Sequence, residues 1–192
     1  MINRGIVIPS AVFCLLLISA GIAEEYQIGA GQYSVKFNSS QDLTVLSPLP
    51  HQESGSHATG WDIQIQDNKS HTIATLYIIE EDQIVPASNA VMDVLLDNNL
   101  GSQAVAKPKT GIKMNGVDGR IADGYSPLWG VSYKYAIIPF DQFYDSFYKR
   151  MVTKCYILLF CLDLPVYNEI VNSLNVTMNQ SDKSAINQSQ SG

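Results

Sequence analysis

The chain has 192 residues, with 12 Lys and Arg against 18 Asp and Glu and a formal net charge of −6. One domain with a substantial core suits that length, because domains cluster near ~100–150 residues. The basic residues are scattered along the chain without a stripe, so the clustered cations that a nucleic-acid surface needs to release counterions are missing, and nucleic acid is excluded as a partner class.

Residues 1–23 read as a secretory signal. Arg4 precedes an apolar run from Ile6 to Ile18, and the small residues Gly21 and Ala23 suit a cut after Ala23. An uncleaved membrane anchor is the alternative, although 6–22 falls short of the ~20 apolar residues that span a bilayer comfortably. Cys14 follows Val12 and Phe13 rather than small residues, so it is not read as a lipid-attachment site. The expected location is secreted or at the extracytoplasmic cell surface, with membrane contact only through an uncleaved signal. Residues 24–177 are expected to form a single domain. Residues 178–192 are mostly Asn, Gln, Ser, Asp and Lys, a polar tail with too little to bury.

Within the domain, Tyr33, Val35 and Phe37 alternate with polar residues and predict a half-buried strand, and 43–45 a second, short one. Residues 47–60 lack periodicity and predict a surface loop. Trp61, Ile63 and Ile65 alternate, the polar turn 67–70 follows, and the apolar run 71–80 completes an antiparallel hairpin. Ser88 can cap a helix over 88–100, with Val91, Val94, Leu95 and Asn98 on one face. A second hairpin is expected over 111–122, turning at 115–119. Val131, Tyr133, Tyr135 and Ile137 at period two predict a strand over 129–139 with one wet face. In 141–148, Phe143, Tyr144, Phe147 and Tyr148 gather on one side of a short helix, expected to tuck its aromatics under the sheet; the alternative leaves them exposed as a partner-binding patch.

The run 151–161 is apolar and rich in β-branched and aromatic residues, which predicts a central strand buried on both faces. Asp163 can cap the following helix and Pro165 can occupy its first turn, with Tyr167, Ile170, Val171 and Leu174 facing the sheet. Cys155 and Cys161 would lie about 20 Å apart in one extended strand, too far for a disulfide, so two buried thiols are expected. Without a repeating strand-helix-strand unit, the order predicts an α+β fold, a mainly antiparallel sheet with helices packed on its faces.

Tyr33-Ser-Val-Lys-Phe37, Gly116-Val-Asp-Gly-Arg120, Tyr133-Lys-Tyr135 and Asn172-Ser-Leu-Asn-Val176 give the chain a resemblance to the PsbP-like α-β-α sandwich. They are also similar to small exported proteins of unknown function from methanogenic archaea. The resemblance covers most of 33–176 and implies an accessory or binding protein more than an enzyme. It transfers no site residue.

The motifs point the same way. His51, Glu53, His57 and His71 lack the spacing of a zinc site, and no H-E-x-x-H, C-x-x-C, G-x-S-x-G, P-loop or dinucleotide-binding pattern is present. No catalytic residue, metal or cofactor is expected. Asp118 and Asp123 flank Arg120 around a turn that its glycines already explain. Asn38, Asn68, Asn175, Asn179 and Asn187 fit the N-x-[ST] acceptor pattern for glycosylation. The leading expectation is a non-catalytic extracytoplasmic binding or accessory domain with a protein or cell-surface partner. The alternatives are a carboxylate-based hydrolase acting on external polymers and a small-ligand or glycan carrier.

Overall fold

The computed structural model describes residues 23–52, 59–100, 109–128 and 130–178. In chain order its elements are β1 Glu24–Ala30, β2 Tyr33–Ser39, β3 Thr44–Val45, β4 Leu49–Gln52, β5 Thr59–Gln66, β6 Thr72–Pro86, α1 Asn89–Leu100, β7 Thr110–Met114 and β8 Val117–Ser126. There follow β9 Val131–Phe140, β10 Phe143–Asp145, β11 Arg150–Cys161, α2 Leu164–Ser173 and β12 Asn175–Met178. Residues 1–22 of the proposed signal and residues 179–192 of the expected tail lie outside the described residues.

The large sheet runs β3-β5-β6-β11-β9-β8-β7, with β4 added on β5 and β10 on β11, and all its pairings are antiparallel. β11 is its centre, as its composition predicts. Cys155, Ile157, Leu159 and Cys161 join one core, while Tyr156 and Leu158 join another on the opposite face. The first core is closed by α2 and by a small sheet ordered β1-β2-β12; the second lies under α1. The result is an α+β fold, mostly antiparallel sheet with one helix on each face. Both β11 cysteines are buried and free.

Local chemistry explains the joints. Asp67 Oδ1 accepts from the amides of Lys69 and His71, both at 2.9 Å, and Ser70 takes a left-handed φ of 63°, closing the β5–β6 hairpin. Asn115 and Gly116, at φ 46° and 83°, form a two-residue turn between β7 and β8, shorter than the 115–119 turn expected. Asp163 Oδ1 accepts from Val166 N at 2.9 Å and Pro165 stands in the first turn of α2, as expected. Glu169 ties α2 to the end of β2 by accepting from Ser39 Oγ at 2.6 Å and Ser40 N at 3.1 Å. Those hydrogen bonds, from Ser39 first and then Ser40, lower its pKa.

Several expectations are corrected. The 47–60 loop contains β4, which pairs with β5. On α1 the buried positions are Met92 and Leu96, while Val94 is exposed, so the apolar face is rotated from the one predicted. β9 has no wet face over 136–139, because Ala136 and Ile138 enter the α2-side core and Ile137 the α1-side core. Ala136 is small enough to leave that second face unmarked in the alternation. β1 and β12 were not expected as strands, and Met178, assigned to the tail, pairs with Tyr33.

Candidate functional site

The segment 141–148 is not a helix. β9 stops at Phe140, Asp141 takes a left-handed φ of 51°, and β10 then pairs with the start of β11, matching Phe143 to Val152, Tyr144 to Met151 and Asp145 to Arg150. Asp145 explains the reversal: its Oδ1 accepts from Phe147 N at 2.9 Å and Tyr148 N at 2.8 Å, and Lys149 closes the turn at φ 53°. The aromatics that a helix would have buried are therefore displayed. Phe147 is 84% exposed and Tyr144 62%, and Phe143, Tyr148 and Met151 are exposed as well. Phe147 meets Tyr148 edge-on at 5.0 Å between centroids, and the Arg150 guanidinium lies 5.1 Å from the Tyr148 ring. The core role predicted for Phe147 is overturned.

Beneath this tip the pairing of β6 with β11 is irregular. Cys155 pairs with Glu80 and Thr153 with Val85, so β6 spends 81–84 where β11 spends only Lys154. The Thr153 hydroxyl, buried between strands, donates to the Phe140 carbonyl and accepts from Cys155 N at 3.0 Å, which holds the kink in place. The misfit opens a cavity of ≈ 430 Å³ bordered by Tyr33, Glu80, Phe140, Phe143, Lys154 and Cys155. That volume is in the range of small-ligand sites.

One wall of this cavity is a polar cluster. Gln32 Nε2 donates to Glu80 Oε1 at 2.8 Å and to Tyr33 Oη at 3.1 Å, and the Tyr33 ring packs edge-on against Phe140 at 5.8 Å. Burial pushes the Tyr33 hydroxyl well above its ordinary pKa, helped by Cys155 and Glu80 beside it. Burial likewise raises the Cys155 thiol to about 12, with a hydrogen bond from Tyr33 opposing and the charges of Glu80 and Asp141 adding to the rise. Such a thiol is protonated at neutral pH and is a poor nucleophile. Glu80, Glu81 and Asp141 all border the cavity, but Glu80 is committed to Gln32.

The structure also places the other candidates. Asp118, Arg120 and Asp123 do not converge: Asp118 meets Lys113 at 2.7 Å, Arg120 meets Asp93 at 2.8 Å, and Asp123 meets Lys134 at 2.5 Å. His71 is an exposed turn residue 3.3 Å from Asp67. Glu53 and His57 lie outside the described residues, as do Asn179 and Asn187. Among the described residues, no group of His, Cys, Asp and Glu is arranged to hold a metal. Asn38, Asn68 and Asn175 are all exposed.

The cavity was missed from sequence, although one signal was available. Glu80-Glu81-Asp82-Gln83 is a polar run inside the fifteen-residue strand β6, which a continuously paired strand beside the sheet's centre would not carry. No family model matches this chain, and neither does any curated protein or solved structure.

Proposed function

We propose that this chain is a non-catalytic binding or accessory domain, exported from the cytoplasm and PsbP-like in its layering, that meets a cell-surface partner through the β10–β11 tip. The observation that carries this reading is Phe147, 84% exposed at the apex with Tyr144, Tyr148, Phe143 and Met151 around it. Apolar clusters of that kind on a folded surface mark interaction sites. The helices on opposite faces of the sheet support the PsbP-like reading, and the buried, protonated Cys155 is in keeping with a protein that does no nucleophilic chemistry. A second reading, the small-ligand carrier, draws on the ≈ 430 Å³ cavity at the base of the same hairpin.

Replacing Tyr144 and Phe147 together by Ser is the test. Surface changes usually alter stability by no more than about 0.5 kcal/mol, so the double variant is expected to melt within about 2 °C of the parent. Its binding to isolated cell envelopes of the source organism is expected to fall roughly tenfold or more, the scale of a lost interface hot spot. Equal envelope binding by parent and variant would overturn the reading. A large drop in melting temperature would instead return the aromatics to a packing role.

A further inference from the structure

The tip carries a charge pattern as well as an apolar one. In 143–154 the cations are Lys149, Arg150 and Lys154 and the acid is Asp145, on a chain whose net charge is −6. Asp145 is half-buried and turned into the hairpin, where two backbone amides take its Oδ1. Lys149 and Arg150 are exposed beside the apex, where Arg150 lies against Tyr148, whose ring forms the apex with Phe147, whereas Lys154 sits lower, on the cavity wall with Glu80, Glu81 and Asp141, and the positive charge of the tip rests on Lys149 and Arg150. Apolar and aromatic groups at the point with cations just behind them match a membrane interface, where aromatic rings settle at headgroup level and Lys and Arg meet lipid phosphates.

Resting on the binding role just proposed for this tip, we propose that its partner is an anionic lipid bilayer, with Phe147 and Tyr148 entering the interface and Lys149 and Arg150 holding headgroup phosphates. Shape favours lipid over protein. A stable protein interface takes about 800 Å² and 20–30 residues from each side, whereas a two-stranded point offers a handful of residues on a convex surface. A fluid interface closes around such a point. Among the described residues no helix is long and apolar enough to cross a membrane, and the contact proposed for the tip needs none, since it is made from one side of the bilayer.

The experiment places an environment-sensitive fluorophore at Ser146, by Ser146→Cys in a Cys14→Ser background of the whole chain, leaving only the buried Cys155 and Cys161 as other thiols. Vesicles of phosphatidylcholine alone are compared with vesicles of equal parts phosphatidylcholine and phosphatidylglycerol. The expected result is a blue shift that saturates with the anionic vesicles and is weak with the neutral ones. Each cation near an anionic surface is worth roughly fivefold in affinity, so Lys149→Ala with Arg150→Ala should move the titration midpoint roughly 25-fold. Lys113→Ala, on edge strand β7, removes the same kind of charge away from the tip and is expected to stay within about twofold. No blue shift with anionic vesicles, or an unchanged midpoint in the double variant, overturns the lipid assignment. If envelope binding still depends on Tyr144 and Phe147 in that case, the partner is a protein and the binding role stands. If envelope binding is indifferent as well, both readings fall.

Discussion

Between about pH 8 and about pH 11 the folded protein is expected to lose about 5 kcal/mol of stability through Cys155 and Cys161 alone. Burial raises the Cys155 thiol from 9.0 to about 12, where Tyr33 partly opposes it and Glu80 and Asp141 add to it. Burial raises Cys161 from 9.0 to about 11, opposed by a hydrogen bond to the Asp163 backbone and assisted by the Asp163 charge. The folded thiols keep their protons to higher pH than the unfolded ones, so above pH 9 the unfolded chain binds fewer protons and gains on the folded state. Their contribution is whole below pH 9, falls by about 1.4 kcal/mol per pH unit for each thiol, and stops falling at about 11 for Cys161 and about 12 for Cys155. Tyr33, Tyr135, Tyr156 and Tyr167, all raised first by burial, push in the same direction once tyrosine begins to ionise in the unfolded chain.

Net stabilities are about 5–15 kcal/mol, so this loss is enough to unfold the protein in alkali. Urea unfolding across the range measures it. Cys155→Ala and Cys161→Ala should each flatten the alkaline slope, and because the slope compares one variant with itself, any packing cost of the substitution cancels. A stability unchanged between about pH 8 and about pH 11, or a folded thiol titrating at its ordinary value, would sink the account.

Where burial settled an element's place, the sequence was readable. The 151–161 run, the Asp163 cap with Pro165, and the 67–70 turn each carry a local cause that tertiary contacts reinforce. The misread segment at the candidate site lies where two structures share a pattern. Aromatics at 143, 144, 147 and 148 suit one face of a helix, yet they equally suit the flanks of a hairpin whose turn is made by Asp145 and Lys149. What decides is the pairing of 143–145 with 150–152, held in place by the long-range β9–β11 ladder beyond it. The cavity was harder still, because it exists only where the 81–84 excursion, the kink at Asp141 and the β1–β2 turn residue Gln32 meet, and these come from distant parts of the chain. α1 misled for a different reason. Val91, Met92, Val94, Leu95 and Leu96 surround much of the helix, so its periodicity is weak and the sheet beneath selects Met92 and Leu96.

Gly60→Ala is expected to cost about 4 kcal/mol or more, while Gly111→Ala, the same chemical change on another strand, is expected to be neutral or to stabilise by up to about 1 kcal/mol. Gly60 sits in β5 between β4 and β6, opposite His51 on one side and Ile79 on the other, with φ 151°. A Cβ built there would lie 1.7 Å from the Ile78 carbonyl oxygen and 2.8 Å from its carbon, and a backbone carbonyl cannot rotate aside as a side chain can. Accommodation therefore requires β5 to separate from β6, which leaves ladder groups unpaired at about 1–3 kcal/mol each in addition to the backbone strain. Gly111, in the edge strand β7, has nothing within 4 Å of its built Cβ and no positive φ, so alanine there only restricts the unfolded chain. Denaturant midpoints of the two variants against the parent read the difference directly. If Gly60→Ala unfolds at the parent's midpoint, the close approach of β5 to β6 at Ile78 is wrong, and with it the register that carries β6 into the 81–84 excursion and the cavity beneath the tip.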